Sequence, residues 1–207
     1  MGSSPASARD YFLKAYNLAV KSDIEAGKGT SLAYIGMSFE NSHLFDSAII
    51  YIDSAMVFFA DDTLPRAEAN KAALISEMAN VEKAQGKYQS AISHYLASNA
   101  ITQKFDVKER DINLGVGYIN IAGVFEEMKQ YEKALEYNFK ALSVFNAGEA
   151  KLKDPAYLNR VRSRRSFAKL GMISEERKRK RGPEARQLLK REEPVILAFN
   201  NKDLSAD

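Results

Sequence analysis

The sequence predicts an all-α fold, a solenoid of antiparallel helical hairpins, from three observations. Nearly the same eleven residues occur three times, at 45–55, 88–98 and 131–141, and the interval between copies is 43 residues. Apolar residues within and before these copies recur at helical spacing. The 207 residues include only five prolines and eleven glycines, which favours long helices. Self-similarity at a fixed period is typical of repeat architectures.

The chain is predicted to begin with a lone helix over residues 5–26. Its apolar face would consist of Tyr11, Ala15, Leu18 and Ala19. This helix resembles the second helix of a hairpin that lacks its first helix. It would be either the edge of a fragment from a longer array or a native capping helix. Residues 1–4 are interpreted as a vector remnant.

Three repeats follow, over residues 30–60, 69–103 and 112–146, and each contains two helical patterns, helix A and helix B. In copy three, helix A carries an apolar stripe over 118–125 and helix B a second one over 131–142. A short break separates the stripes, so the two helices should be antiparallel neighbours. Small residues are expected where the helices approach most closely, above all the helix B alanines Ala48, Ala91 and Ala134.

Residues 154–207 are interpreted as a degenerate fourth repeat followed by capping helices and a basic tail. Asp154 and Pro155 supply a helix start, but Arg164 and Arg165 occupy positions where a small packing residue belongs. This segment has 14 Lys+Arg against 8 Asp+Glu, whereas residues 1–153 have 16 against 19. We expect stability to be concentrated in residues 5–150, and residues 174–207 to contribute little.

The pattern resembles the tetratricopeptide repeat family, in which large, small and aromatic residues alternate over a helical hairpin. The small helix A column is Gly36, Ala79 and Ala122, and the helix B columns include Ala48, Ala91, Ala134 and Ala55, Ser98, Ala141. Glu82 and Asn138 depart from the family pattern. The 43-residue period exceeds the usual ~34 residues and is similar to the extended repeats of kinesin light chains and bacterial signalling proteins. The resemblance implies a right-handed, tetratricopeptide-like superhelix.

In this family, fixed helix A positions line a concave groove that binds peptides. Carried over to this sequence, the candidate groove residues are Met37, Glu40 and Asn41 in copy one, Ser76, Asn80 and Lys83 in copy two, and Ile119, Glu126 and Glu127 in copy three. The same set of helix A positions also includes Thr30 and Ala33 in copy one and Ala73 in copy two. Chaperone-binding members use lysine, asparagine and arginine here to hold a terminal carboxylate, and only Asn80 and Lys83 match. The mixed apolar and acidic surface instead suits a partner segment with basic residues. The competing interpretation, exposed positions on a scaffold, has equal support.

No motif indicates an enzyme, a cofactor or a metal site. The chain has no cysteine, and no phosphate loop, dinucleotide fingerprint or metal-ligand spacing is present. The two histidines, His43 and His94, are 51 residues apart and are interpreted as surface residues. Ser90 has no catalytic partner identifiable from spacing. Adjacent acids such as Glu175-Glu176 point about 100° apart on a helix, and are interpreted as solvated.

The sequence therefore predicts a non-catalytic protein–protein interaction module, a peptide- or protein-binding scaffold or sensor segment of a larger signalling protein. The alternative is a nucleic-acid-associated regulator that uses the basic C-terminal segment. Phe167 is the one aromatic residue among the arginines of this segment, so the aromatic stacking expected of a single-strand binder is missing. No apolar run reaches the roughly 20 residues of a membrane helix. A cytoplasmic location is favoured, and a periplasmic one stays open if a signal or anchor was removed. The oligomeric state is left open.

Overall fold

The structure, a computed structural model, describes residues 5–60, 65–104, 109–151, 155–178 and 187. Within these residues the regular elements are all α-helices, which confirms the predicted fold class. The helices are α1 (Pro5–Lys21), α2 (Glu25–Glu40), α3 (Phe45–Val57), α4 (Pro65–Ala84), α5 (Tyr88–Lys104), α6 (Arg110–Glu127), α7 (Tyr131–Lys151) and α8 (Pro155–Lys178). The predicted vector remnant at 1–4 and the basic tail beyond Lys178 lie outside the described helices.

The chain divides into two compact units, Met1–Val107 and Lys108–Asp207. In the first unit, α2 with α3 and α4 with α5 form hairpins, and α1 packs against α2. In the second unit, α6 and α7 form the third hairpin, and α8 packs against both. The boundary between the units falls between copies two and three.

The predicted alanine column lies at the closest helix contacts. Ala48, Ala91 and Ala134 are each fully buried, which confirms their assignment as packing positions. In copy one, a Cβ added to Gly36 would lie 3.2 Å from the carbonyl oxygen of Ala48 and 3.0 Å from Cγ1 of Ile52. A small residue in the helix A column therefore lets the two helices of the hairpin approach within backbone contact.

A second pair of packing columns also follows the 43-residue period. On helix A it holds Gly29, Ala72 and Gly115; after or late in helix B it holds Phe59, Thr102 and Phe145. All six residues are buried. A Cβ on Gly29 would meet the Phe59 ring at 2.7 Å, and a Cβ on Gly115 would overlap the Phe145 ring. In copies one and three, the helix A residue is glycine and the helix B residue is phenylalanine. In copy two, the helix A residue is alanine and the helix B residue is the smaller threonine.

Each hairpin turn places one residue in the left-handed region, again at 43-residue intervals. These residues are His43, Gly86 and Lys129, with φ of 57°, 75° and 58°. In every turn, the N–H of this residue donates to the carbonyl three residues earlier, and the next N–H donates to the carbonyl five residues earlier. This pair of hydrogen bonds closes a helix at a left-handed residue. Only Gly86 adopts that conformation without a steric cost from Cβ.

The turns allow the backbone cost to be measured without a packing effect. We expect Gly86→Ala to lower the free energy of unfolding by about 1 kcal/mol, because alanine resists positive φ and its Cβ would meet nothing within 4 Å. We expect Lys129→Gly to raise the free energy of unfolding by roughly 0.5 kcal/mol. Glycine removes the steric cost of positive φ, and this gain exceeds the loss from the greater conformational entropy of glycine in the unfolded chain. Urea unfolding followed by circular dichroism measures both. Equal midpoints for the two variants would contradict this interpretation of the turns.

The start of the chain differs from the sequence prediction. The lone helix ends at Lys21 rather than 26, and α2 begins at Glu25, before the predicted repeat start at 30. The predicted apolar face of α1 is also wrong: Tyr11 and Leu18 are exposed, and of that face only Ala19 is buried. The face that contacts α2 instead carries Phe12, whose ring stacks on Tyr34 with 5.0 Å between centroids.

The end of α8 packs more firmly than expected. Met172 and Ile173, which lie just before residue 174, are buried, and so is Glu175, so the expectation that Glu175 is solvated is wrong. Small residues allow α8 to approach α7, because Ala168 is fully buried and a Cβ on Gly171 would lie 2.8 Å from Nδ2 of Asn138. Ala168 and Gly171 are thus the small packing residues of α8, and they lie a few positions after Arg164 and Arg165, where the sequence pattern placed the small residue.

Candidate functional site

A cavity of about 230 Å³ lies in the first unit between the A helices of copies one and two. Its lining residues are Thr30, Ala33, Tyr34 and Met37 from α2, Asn70, Ala73, Leu74 and Glu77 from α4, and Phe59. Most of these side chains are apolar, and none is basic. Thr30, Ala33, Met37 and Ala73 occupy the helix A positions that the family resemblance assigns to a peptide groove.

Among the described residues that line the cavity, Glu77 is the acidic one. Burial raises its pKa above the ordinary value; the hydrogen bond from Asn80 acts in the opposite direction, and the negative charge of Glu40 raises the pKa further. Burial also raises the pKa of Glu40, which His43 partly offsets. Burial therefore disfavours the ionised form of both glutamates, and a nearby cation would favour it.

The candidate residues of copies one and two have different surroundings. Met37 lines the cavity, whereas Asn41 is exposed at the end of α2. Asn80 is engaged within the protein: its amide donates to Oε2 of Glu77 at 3.0 Å, and its oxygen accepts from the Tyr95 hydroxyl. Lys83 also has an interaction partner, and Ser76 is half-buried. Engaged in this way, the amide of Asn80 is not free to hold a carboxylate, as a carboxylate clamp would require.

The candidates of copy three lie on α6 in the second unit. Ile119 is partly buried and packs against the core cluster of that unit, which includes Ile112 and Phe145. Glu126 is half-buried, Glu127 is exposed, and both have interaction partners. Ile119 therefore contributes to packing within its own unit, and the two glutamates form the acidic part of the candidate surface on α6.

Sequence reasoning missed Glu77, Tyr34 and Asn70 as lining residues. The available signal was that Glu77 is a charged residue within the mostly apolar stretch 72–81. The spacing of the apolar residues alone does not show, however, towards which neighbouring helix its side chain points. Tyr34 and Glu77 are 43 residues apart and so occupy one repeat column. That column borders the cavity from both helices, although the family's groove positions do not include it.

Glu82 departs from the aromatic column and instead organises a polar contact between α4 and α5. Ser90 Oγ donates to Oε1 of Glu82 at 2.6 Å, and Nδ1 of His94 lies 2.7 Å from Oε2. The structure therefore unites a serine, a histidine and an acid that spacing did not connect. The serine donates to the acid and not to the imidazole, whereas an activated nucleophile must contact its base. The three residues thus fasten α5 to α4.

The described part of the basic segment is partly neutralised. Arg162 Nε lies 2.8 Å from Oε1 of Glu149, and Arg165 pairs with the other oxygen of the same carboxylate. These ion pairs join α8 to α7. Over the residues that the structure describes, no cluster of His, Asp and Glu could hold a metal ion. No helix in that part of the chain is both long and apolar enough to cross a bilayer.

The repeated hairpins, their small-residue columns and their common turn define a helical-repeat protein of the tetratricopeptide type. No protein-family model matches the sequence, and the search of curated proteins found no match. Among solved structures, the chain is similar to the apo form of RapI, with a TM-score of 0.69, 16% identity and coverage of 98% of this chain. It spans 50% of the RapI chain.

Two further solved structures share this fold over most of their length. BtubC (BKLC) from P. vanneervenii has a TM-score of 0.57 and 16% identity, and the match covers 95% of this chain and 91% of BtubC. A Podosopora anserina protein, described as a kinesin light chain with nearly identical TPR-like repeats, has a TM-score of 0.63 and 15% identity, with coverage of 98% and 90%. These likenesses establish the fold as that of TPR-like helical-repeat solenoids.

Proposed function

We propose that this chain is the partner-binding, scaffolding or sensing segment of a larger signalling protein, and that it holds a protein segment against α2 and α4. The observation that carries the proposal is the cavity between these helices, which is lined by four of the helix A positions expected to bind peptides. A concave, mostly apolar surface with a few polar groups is the usual form of a recognition site.

The partner segment is proposed to carry basic residues. The charge of Glu40 acts on Glu77 in the first unit, and the described residues that line the cavity include no basic side chain. In the second unit, Glu126 and Glu127 end α6. Complementary charge accelerates encounter and disfavours acidic partners more than it adds affinity. The partner should therefore associate more slowly at high salt.

Site-specific photo-crosslinking tests the location of the interaction. We expect benzoylphenylalanine at Ala73, an exposed residue that lines the cavity, to cross-link a partner segment rich in lysine or arginine. The matched control is the same substitution at Ala100, which is exposed on α5. Mass spectrometry of the cross-linked peptide identifies the segment. Cross-linking from Ala100 but not from Ala73 would overturn the proposed location.

Charge reversal tests the contribution of α6. We expect Glu127→Lys to weaken recovery of the cross-linked partner, since an exposed positive charge there would repel basic residues. Helicity should not change, because Glu127 is exposed at the end of α6. Unchanged recovery would mean that Glu127 does not contribute to binding of the partner.

A further inference from the structure

Glu77 is half-buried beside the cavity, and its carboxylate is engaged on one side. Its Oε2 accepts a hydrogen bond from Asn80 at 3.0 Å, and within the described residues no partner is found for Oε1. An ionised carboxylate accepts hydrogen bonds at both oxygens. The raised pKa of Glu77 has burial as its main cause, in agreement with this geometry. One oxygen beside the cavity is thus available to a donor.

The walls of the cavity suit an aliphatic chain. Met37, Ala73 and Leu74 provide apolar surface, and Tyr34 adds an aromatic ring that is 46% exposed. The volume of about 230 Å³ is smaller than the roughly 300–1,000 Å³ typical of sites for drug-sized ligands. The cavity therefore fits a single side chain better than a whole small molecule.

We propose that this cavity is a subsite for one cationic side chain of the partner, arginine or lysine, whose charged end pairs with Glu77 while its aliphatic part packs on Met37 and Tyr34. This inference rests on the proposed function, because it assigns one residue of the bound segment. Long basic side chains bury their methylene groups on apolar surface and keep the charge at a polar partner. An anionic side chain would be repelled by Glu77, and a neutral polar side chain could donate a hydrogen bond to it but would leave its charge unpaired. Glu40 adds to the attraction for a cation through its charge.

A fragment titration tests the subsite separately from partner binding. The probe is n-pentylguanidinium, and the neutral control is N-pentylurea, which has nearly the same shape without the charge. The signal is the ¹³C-methyl resonance of Met37, assigned with Met37→Leu among the six methionines. We expect pentylguanidinium to shift this resonance saturably. Pentylurea should bind at least about tenfold more weakly, because a hydrogen bond between two charged groups is stronger than one from a neutral donor.

Matched variants identify the anionic partner. Glu77→Gln should weaken pentylguanidinium at least about tenfold and leave pentylurea unchanged, which also shows that the cavity is intact. Asp53→Asn, which removes one exposed charge on α3, should have no effect. Equal binding of the two fragments, or unchanged pentylguanidinium binding to Glu77→Gln, would overturn the subsite. If the fragments fail in this way while Ala73 still cross-links the partner, the proposed function stands and only this inference is lost.

Discussion

Truncation of the chain after Leu170 is expected to lower the free energy of unfolding of the second unit by roughly 3 kcal/mol or more. The deletion removes Met172 and Ile173, which are 7% and 3% exposed, and burial of each such side chain contributes about 1.5–3 kcal/mol. It also removes Gly171, whose small size lets α8 approach Asn138. Denaturant unfolding of the full chain and the truncated chain measures the difference.

Two point variants separate side-chain burial from loss of the chain end. Ile173→Ala should cost about 2–5 kcal/mol, as expected for a large-to-small change in a core. Leu170→Ala, on the same helix but 40% exposed, should cost much less, because leucine and alanine have similar helix propensity and little burial is lost. If the truncated chain and Ile173→Ala unfold like the full chain, α8 does not contribute to the stability of the unit beyond Leu170.

Gly115→Ala is expected to destabilise the second unit by about 3 kcal/mol, although alanine has the higher helix propensity by about 1 kcal/mol. The added Cβ would overlap the ring of Phe145, a fully buried residue in the core of this unit. Inserted methyl groups in a close-packed core cost about 1–3 kcal/mol and occasionally more. The ring must therefore move, and with it the contact between α6 and α7. Thermal unfolding by calorimetry measures the loss.

The repeat itself suggests the compensating variant. Copy two has the smaller pair Ala72 and Thr102 at these two columns, so Gly115→Ala combined with Phe145→Leu should recover part of the lost stability. Phe145→Leu alone should be destabilising, since it leaves a cavity beside Gly115. The interaction between the two substitutions should then be favourable in a double-mutant cycle. Strict additivity would mean that the two side chains do not constrain each other.

The hairpins and their closest contacts were predictable from the sequence because they are local and periodic. The 43-residue interval identifies Ala48, Ala91 and Ala134 as equivalent positions, and all three are fully buried. Helical spacing within each copy predicts which stripe is apolar. It also separates helix A from helix B, since a short break must reverse the chain. These inferences need only the geometry of a helix and the fact that repeated units pack alike.

The candidate site was predictable only in part. Met37 was assigned to the groove and lines the cavity, whereas Asn80 hydrogen-bonds to Glu77 and Tyr95 inside the first unit. Glu77 itself was not assigned, because its place in the cavity depends on the distance between α2 and α4. The same distance sets how far its carboxylate is removed from water. Neither quantity is encoded in the spacing of one helix.

By itself, the sequence determined that this chain forms repeated helical hairpins and where each hairpin turns. Only the tertiary structure decided which face of α1 contacts α2, that Glu175 is buried, and that Gly115 makes room for Phe145. A periodic pattern shows that a helix has an apolar face, but burial depends on the neighbour that covers this face. That neighbour lies far along the chain, and the size of its side chains sets how closely the backbones can approach.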